Sequence, residues 1–132
     1  MKGLDTDVLV RYIVRDDPVQ AAKASSFIFE VIEQGETCFI NHIVMCELVW
    51  VLESAYGFAR EEIAGILEKI HATRQFEIER KEVSRQALDD YAHGRGDLAD
   101  YLIGRVNSAL GCNVTATFDR ALKSGPAFEV LE

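Results

Sequence analysis

Acidic side chains occur in this sequence where a parallel α/β fold could bring them together. Asp5 and Asp119 each follow a short segment that predicts a strand, so each lies at the carboxyl end of a strand, where open α/β sheets bind ligands. Glu47 is the one acid between Asn41 and Leu52, in a strongly apolar helical stretch. Burying an unpaired carboxylate there would cost several kcal/mol, so we expect Glu47 to have a partner.

Two further acids begin a predicted helix. Asp97 and Asp100 are three residues apart, and the 3.6-residue period places them on one face, opposite Leu98, Leu102, Val106 and Leu110. Each acid also has a structural interpretation. Asp97 and Asp119 could cap helical turns, and Asp100 could interact favourably with the helix dipole. Asp7 could likewise cap the first helix.

Taken together, the acids predict a cation site. Carboxylates that cluster repel one another unless a divalent cation holds them, and a set of oxygen ligands selects Mg²⁺ or Mn²⁺. Arg95, beside Asp97, is the basic residue best placed to contact a phosphate group.

Composition limits the class of protein. The chain has 132 residues, which suits one domain, and a net charge of −8, which argues against sequence-blind nucleic-acid binding through a basic face. A nuclease whose neutralising charge comes from a metal ion remains compatible, provided that its Arg and Lys gather locally. Three cysteines at unrelated spacings imply no disulfide framework, and neither a signal peptide nor a membrane segment is visible. We therefore expect a cytoplasmic protein.

Strands and helices alternate along the chain. We predict one α/β domain over residues 1–132, with a mostly parallel β-sheet of about five strands and helices on both faces. The first strand, at the N-terminus, should be central and buried, and further strands are expected at 37–40, 76–78, 113–117 and 128–130. The expected helices cover 8–14, 18–34, 43–55, 60–73, 81–93 and 97–110.

The motifs in this order resemble those of PIN-domain ribonucleases. The resemblance covers the whole chain and is closest to the VapC-type toxins of bacterial toxin–antitoxin pairs. It rests on Leu4-Asp5-Thr6-Asp7-Val8-Leu9, Cys46-Glu47-Leu48, Asp97-Leu98-Ala99-Asp100-Tyr101-Leu102-Ile103 and Thr117-Phe118-Asp119. Asp7 departs from the pattern, because such proteins usually carry Asn there.

The resemblance implies a Mg²⁺- or Mn²⁺-dependent endoribonuclease whose catalytic acids are Asp5, Glu47, Asp100 and Asp119. Asp5, Asp100 and Asp119 would bind the metal, with Asp97 as an additional ligand or only an N-cap. Thr6 and Thr117 match small hydroxyl positions that orient the acids. The implied partners are an RNA substrate, often a tRNA or ribosomal loop, a VapB-like antitoxin and a second copy of the chain in a homodimer.

Two other functions remain open. In a haloacid-dehalogenase-type phosphatase, Asp5 would be the nucleophile and Asp7 the acid–base partner, and a covalent aspartyl-phosphate would identify it. That fold needs its late acids just after a strand, whereas residues 89–93 read as helix. The other possibility is a catalytically inert PIN-like binding module, although all four acids are present.

Overall fold

The strands are short, parallel and divided between two groups. In the computed structural model, which describes all of residues 1–132, β1 (Lys2–Gly3), β2 (Cys38–Ile40) and β3 (Phe76–Ile78) form a sheet in the order β1-β2-β3. β4 (Thr115–Thr117) and β5 (Phe128–Val130) pair only with each other. The predicted α/β class and its five parallel strands are confirmed, but the strands do not form one continuous ladder.

The prediction that the first strand is central was wrong. β1 pairs only with β2, in the register Lys2 with Cys38 and Gly3 with Phe39, and both of its residues are exposed. The strand is short: the N–H of Leu4 still donates to the Phe39 carbonyl, and the chain then enters a helix at Thr6. The central strand is β2, in which Cys38 and Ile40 are fully buried.

Six α-helices follow the predicted order closely. They are α1 (Thr6–Val14), α2 (Pro18–Glu33), α3 (His42–Ser54), α4 (Arg60–Ala72), α5 (Lys81–His93) and α6 (Leu98–Ala109), and a 3₁₀ turn covers Arg120–Leu122. None of these helices is long and apolar enough to cross a membrane.

Local chemistry fixes where the helices begin. Asp17 caps α2 by accepting hydrogen bonds from the N–H groups of Val19 and Gln20, and Pro18 occupies the first turn. Asn41 caps α3 through the N–H of Val44. These caps fix the starts of α2, which packs against α1, and of α3, which carries Glu47.

One continuous core lies between the helices and the three-stranded sheet. It contains 25 buried residues, among them Leu48 and Leu52 of α3 and Ile63 and Leu67 of α4, all fully buried. The three cysteines are free, and only Cys38 is buried.

Candidate active site

Asp5 lies at the turn from β1 into α1, as its place in the sequence predicted. Its backbone is extended, and its Oδ1 accepts a hydrogen bond of 2.8 Å from the N–H of Thr6. α1 therefore begins at Thr6 rather than near residue 8. Asp5 therefore caps α1 and also lies at the carboxyl end of a strand. Asp7, which the sequence offered as a possible cap, lies in the first turn of the helix instead.

Glu47 is exposed, which contradicts the expectation that it is buried in an apolar helix face. The buried positions of α3 follow a helical stripe of Val44, Met45, Leu48, Val49 and Leu52. Glu47 falls on the other side of the helix, so solvation of its carboxylate needs no partner. It nevertheless has one: the Thr6 hydroxyl donates to Glu47 Oε1 over 2.6 Å. Thr6 itself is only 7% exposed, so the donor is held in place.

A second group of acids surrounds Asp100 in the first turn of α6. Burial raises the pKa of Asp100, and the negative charges of Asp97 and Asp119 raise it further. Asp100 in turn contributes to the raised pKa of the Cys46 thiol, after the larger effect of burial. Cys46 and Glu47 both belong to α3, and α3 packs against α6, the helix that carries Asp100.

Asp97 and Asp119 differ in how their side chains are used. Asp97 occupies the N-cap position of α6, but its side chain accepts no capping hydrogen bond and is exposed. Asp119 caps the 3₁₀ turn, since its Oδ1 accepts from the N–H of Ala121 at 2.9 Å. The Thr117 hydroxyl accepts a hydrogen bond of 3.1 Å from the N–H of Asp119, which fixes the backbone of that acid.

The donor set suits a hard divalent cation in its chemistry. Nowhere do three or more Asp, Glu, His or Cys side chains already lie close enough to hold a metal ion. Burial raises the pKa of Asp100, and the negative charges of Asp97 and Asp119 raise it further. A cation bound by carboxylate oxygens would offset the repulsion between these charges.

Arg60 is a structural element of the site that sequence reasoning missed. Its Nη1 donates to the carbonyls of Tyr91 and Gly96, both at 2.9 Å, and its Nη2 donates to the carbonyl of Arg95 at 3.2 Å. Its guanidinium carbon lies 4.3 Å from the centroid of the Tyr91 ring. The one available signal was a cation in the first turn of a helix, where the dipole disfavours positive charge.

The loop that Arg60 holds leads directly into Asp97. The N–H of Gly96 donates to the Tyr101 hydroxyl at 3.0 Å, and a Cβ on Gly96 would lie 2.4 Å from Leu122 Cδ2. A side chain at position 96 would require the buried Leu122 side chain to shift. Arg95, the candidate for phosphate contact, is exposed, and its side chain forms no hydrogen bond within the protein.

The arrangement bears on the phosphatase alternative. Asp97 and Asp100 follow the loop 94–96 between two helices, rather than a strand. The late acids of a haloacid-dehalogenase-type site would need to follow a strand, so this connection counts against such a site.

Comparison with known proteins now identifies the class. Residues 3–126 match the family model described as "PIN domain", and the chain belongs to the PIN-domain family. Among curated proteins, it is similar to the VapC ribonuclease of Aquifex aeolicus (strain VF5), with 30% identity over 123 residues, which is 93% of this chain and 90% of that protein. The predicted kinship with VapC-type proteins is thus confirmed.

Proposed function

We propose that the protein is a divalent-metal-dependent endoribonuclease that acts as the toxin of a toxin–antitoxin pair. The observation that carries the proposal is the half-buried position of Asp100 near Asp97 and Asp119: burial raises the pKa of Asp100, and the negative charges of these two acids raise it further. Membership of the PIN-domain family and the similarity to a VapC ribonuclease support it.

Each acid has a role in the proposed reaction. Asp5, Asp100 and Asp119 would bind Mg²⁺ or Mn²⁺, with Asp97 as a further ligand. When bound, the ion supplies positive charge to the phosphate oxygens and makes a neighbouring water more acidic. Glu47 would bind the ion or orient the attacking water, held by the Thr6 hydroxyl at 2.6 Å.

The remaining residues position these acids or the substrate. Thr117 fixes the backbone of Asp119 through its hydroxyl. Arg95, exposed beside Asp97, would pair with a phosphate group of the RNA. Catalysis in this scheme depends on stabilising the charge of the transition state and on orienting the RNA phosphate. The set of acids and Arg95 would supply both effects.

The proposed partners follow the VapC-type relative. The substrate would be RNA, such as a tRNA or a ribosomal loop, and a VapB-like antitoxin would block the site. We propose further that the whole chain, 1–132, acts as a single PIN domain, that two copies form a homodimer, and that the protein works in the cytoplasm.

The test is cleavage of total bacterial RNA by the purified protein in Mg²⁺, in Mn²⁺ and in EDTA. We expect cuts at discrete positions that need the metal and are lost in Asp5→Asn. The control Asp89→Asn changes an acid whose side chain is 77% exposed on α5, and should cleave like the wild type. Intact RNA together with turnover of p-nitrophenyl phosphate would instead support the phosphatase. Inactivity towards both would support the inert binding module.

A further inference from the structure

A cleft of about 630 Å³ opens between α1 and α2, directly beside Asp5. Its wall on α1 carries Asp7 and Arg11, and its wall on α2 carries Gln20, Lys23 and Phe27. The cleft therefore adjoins the candidate active site through Asp5, and it is also lined by two cations and an aromatic ring. The roles proposed for the acids and the threonines do not account for these three side chains.

The two cations of the cleft differ in how they are held. Arg11 is fixed, because its Nε donates to Gln20 Oε1 at 2.7 Å and its Nη1 to Asp16 Oδ1 at 2.9 Å. Lys23 is exposed and forms no ion pair within the protein. In a chain with a net charge of −8, an uncompensated lysine next to an acidic site is a local attraction for an anion.

Phe27 supplies a second kind of contact. It lies one helical turn after Lys23 on the same face of α2, and 42% of it is exposed. Ala24 lies between Lys23 and Phe27 in the sequence and is buried, and its small side chain lines the floor of the cleft without filling it. A flat aromatic ring beside a free ammonium group is the combination that binds a nucleobase by stacking and its phosphate by charge.

We propose that this cleft binds one nucleotide of single-stranded RNA beside the bond that is cleaved, with its phosphate on Lys23 and its base on Phe27. The inference rests on the proposed ribonuclease function and adds to it a substrate contact outside the acids. A single strand is required, because only an unpaired base can turn out to stack on a side chain. Arg11 holds α1 to α2 and adds positive charge near the same phosphate.

The test uses the full chain carrying Asp100→Asn, so that RNA is bound without being cut. Binding of a short fluorescein-labelled single-stranded RNA of mixed sequence is measured by anisotropy at several KCl concentrations. We expect Phe27→Ala to weaken binding about tenfold with an unchanged salt dependence. We expect Lys23→Ala to weaken it several-fold and to reduce the slope of log Kd against log salt by about 0.7, the value for one phosphate contact on a single strand.

Matched controls exist on the same structure. Phe29 lies on α2, is 61% exposed and does not line the cleft, so Phe29→Ala should bind RNA like the parent protein. Lys81→Ala removes an exposed lysine from α5 and should also bind normally. The thermal unfolding midpoints of all four variants check that each one is folded.

The outcomes separate this inference from the proposed function. If the wild type cleaves RNA while the Lys23 and Phe27 variants bind it as the controls do, the cleft assignment is overturned and the ribonuclease remains. If those variants instead lose binding of a Glu-rich peptide and keep that of RNA, the cleft belongs to a protein partner, which also overturns the assignment. A wild type that neither binds nor cleaves RNA overturns both.

Discussion

The Thr6 hydroxyl donates a hydrogen bond of 2.6 Å to the carboxylate of Glu47, and so joins the start of α1 to the exposed face of α3. Thr6 also follows Asp5, whose side chain accepts its N–H. A single buried threonine therefore contacts two of the proposed catalytic acids. Since Glu47 is otherwise exposed, this bond is what restricts its orientation.

Removing the Thr6 hydroxyl should reduce activity more than stability. Thr6→Val keeps the shape of the side chain but frees Glu47, and a hydrogen bond to a charged group is worth roughly 1.5–3 kcal/mol. We expect RNA cleavage to slow about tenfold or more, while Thr6→Ser retains the bond and most of the rate. Cleavage rates of both variants check this, and equal rates in Thr6→Val and the wild type would contradict it.

Arg60 should be essential for the loop before Asp97. Arg60→Lys keeps the charge but cannot reach three carbonyls or stack on Tyr91 in the same way, so we expect a loss of roughly 2 kcal/mol in the free energy of unfolding. Urea denaturation measures the loss. The control Arg85→Lys changes an exposed arginine on α5 and should have little effect. A similar small effect in Arg60→Lys would show that the loop is held by other contacts.

Asp100 should destabilise the metal-free protein. Its pKa is raised in the folded state, so the folded protein favours the protonated, neutral carboxyl group. The stabilisation from this preference is present at acidic pH and is lost as the pH rises through the folded pKa. At neutral pH, Asp100→Asn should therefore raise the thermal midpoint in EDTA, whereas Asp89→Asn should not. A lower midpoint for Asp100→Asn would show that burial and the neighbouring charges do not disfavour the Asp100 carboxylate.

A buried histidine away from the site should make stability depend on pH. His71 is 1% exposed, with Nδ1 on the Leu67 carbonyl and Nε2 on the Ser84 hydroxyl, both at 2.7 Å. Burial lowers the pKa of His71, so the folded protein favours the neutral ring.

As the pH falls below about 6.5, His71 becomes protonated in the unfolded chain but stays neutral in the folded protein. The free energy of unfolding should therefore fall. Below the folded pKa the effect should level off. Urea denaturation between about pH 7.5 and pH 5 measures this pH dependence of the free energy of unfolding, because histidine ordinarily titrates in that interval. His71→Gln should flatten this dependence, while His93→Gln, at a histidine that is 79% exposed, should leave it intact. No difference between the two variants would exclude His71 as the cause.

The sequence predicted the helices well because apolar spacing and chain breakers act locally. The helix predicted at 81–93 and the strand predicted at 76–78 match α5 and β3: Gly94 ends the helix, and the alternation in Phe76-Glu77-Ile78 marks the strand. The sequence also predicted which element carries each acid, since strand ends and helix starts can be recognised from local patterns.

What the sequence did not reveal depends on contacts between distant residues. The sequence did not predict the exposure of Glu47 because α3 carries apolar residues on its exposed side as well, such as Ile43 and Trp50, and only packing decides which side is buried. β1 lies at an edge, with β4 paired to β5 and not to β1, and no local sequence pattern encodes which strands pair. Arg60 acts on residues more than 30 positions away, so its role needed the folded chain.

The central claim is that these acids bind a divalent cation, and calorimetric titration with Mn²⁺ tests it without requiring the right RNA. The measurement compares the wild type, Asp100→Asn and the exposed control Asp89→Asn. We expect saturable binding to the wild type and the control, and at least about tenfold weaker binding to Asp100→Asn. Equal binding to all three proteins, or none to the wild type, would contradict the account.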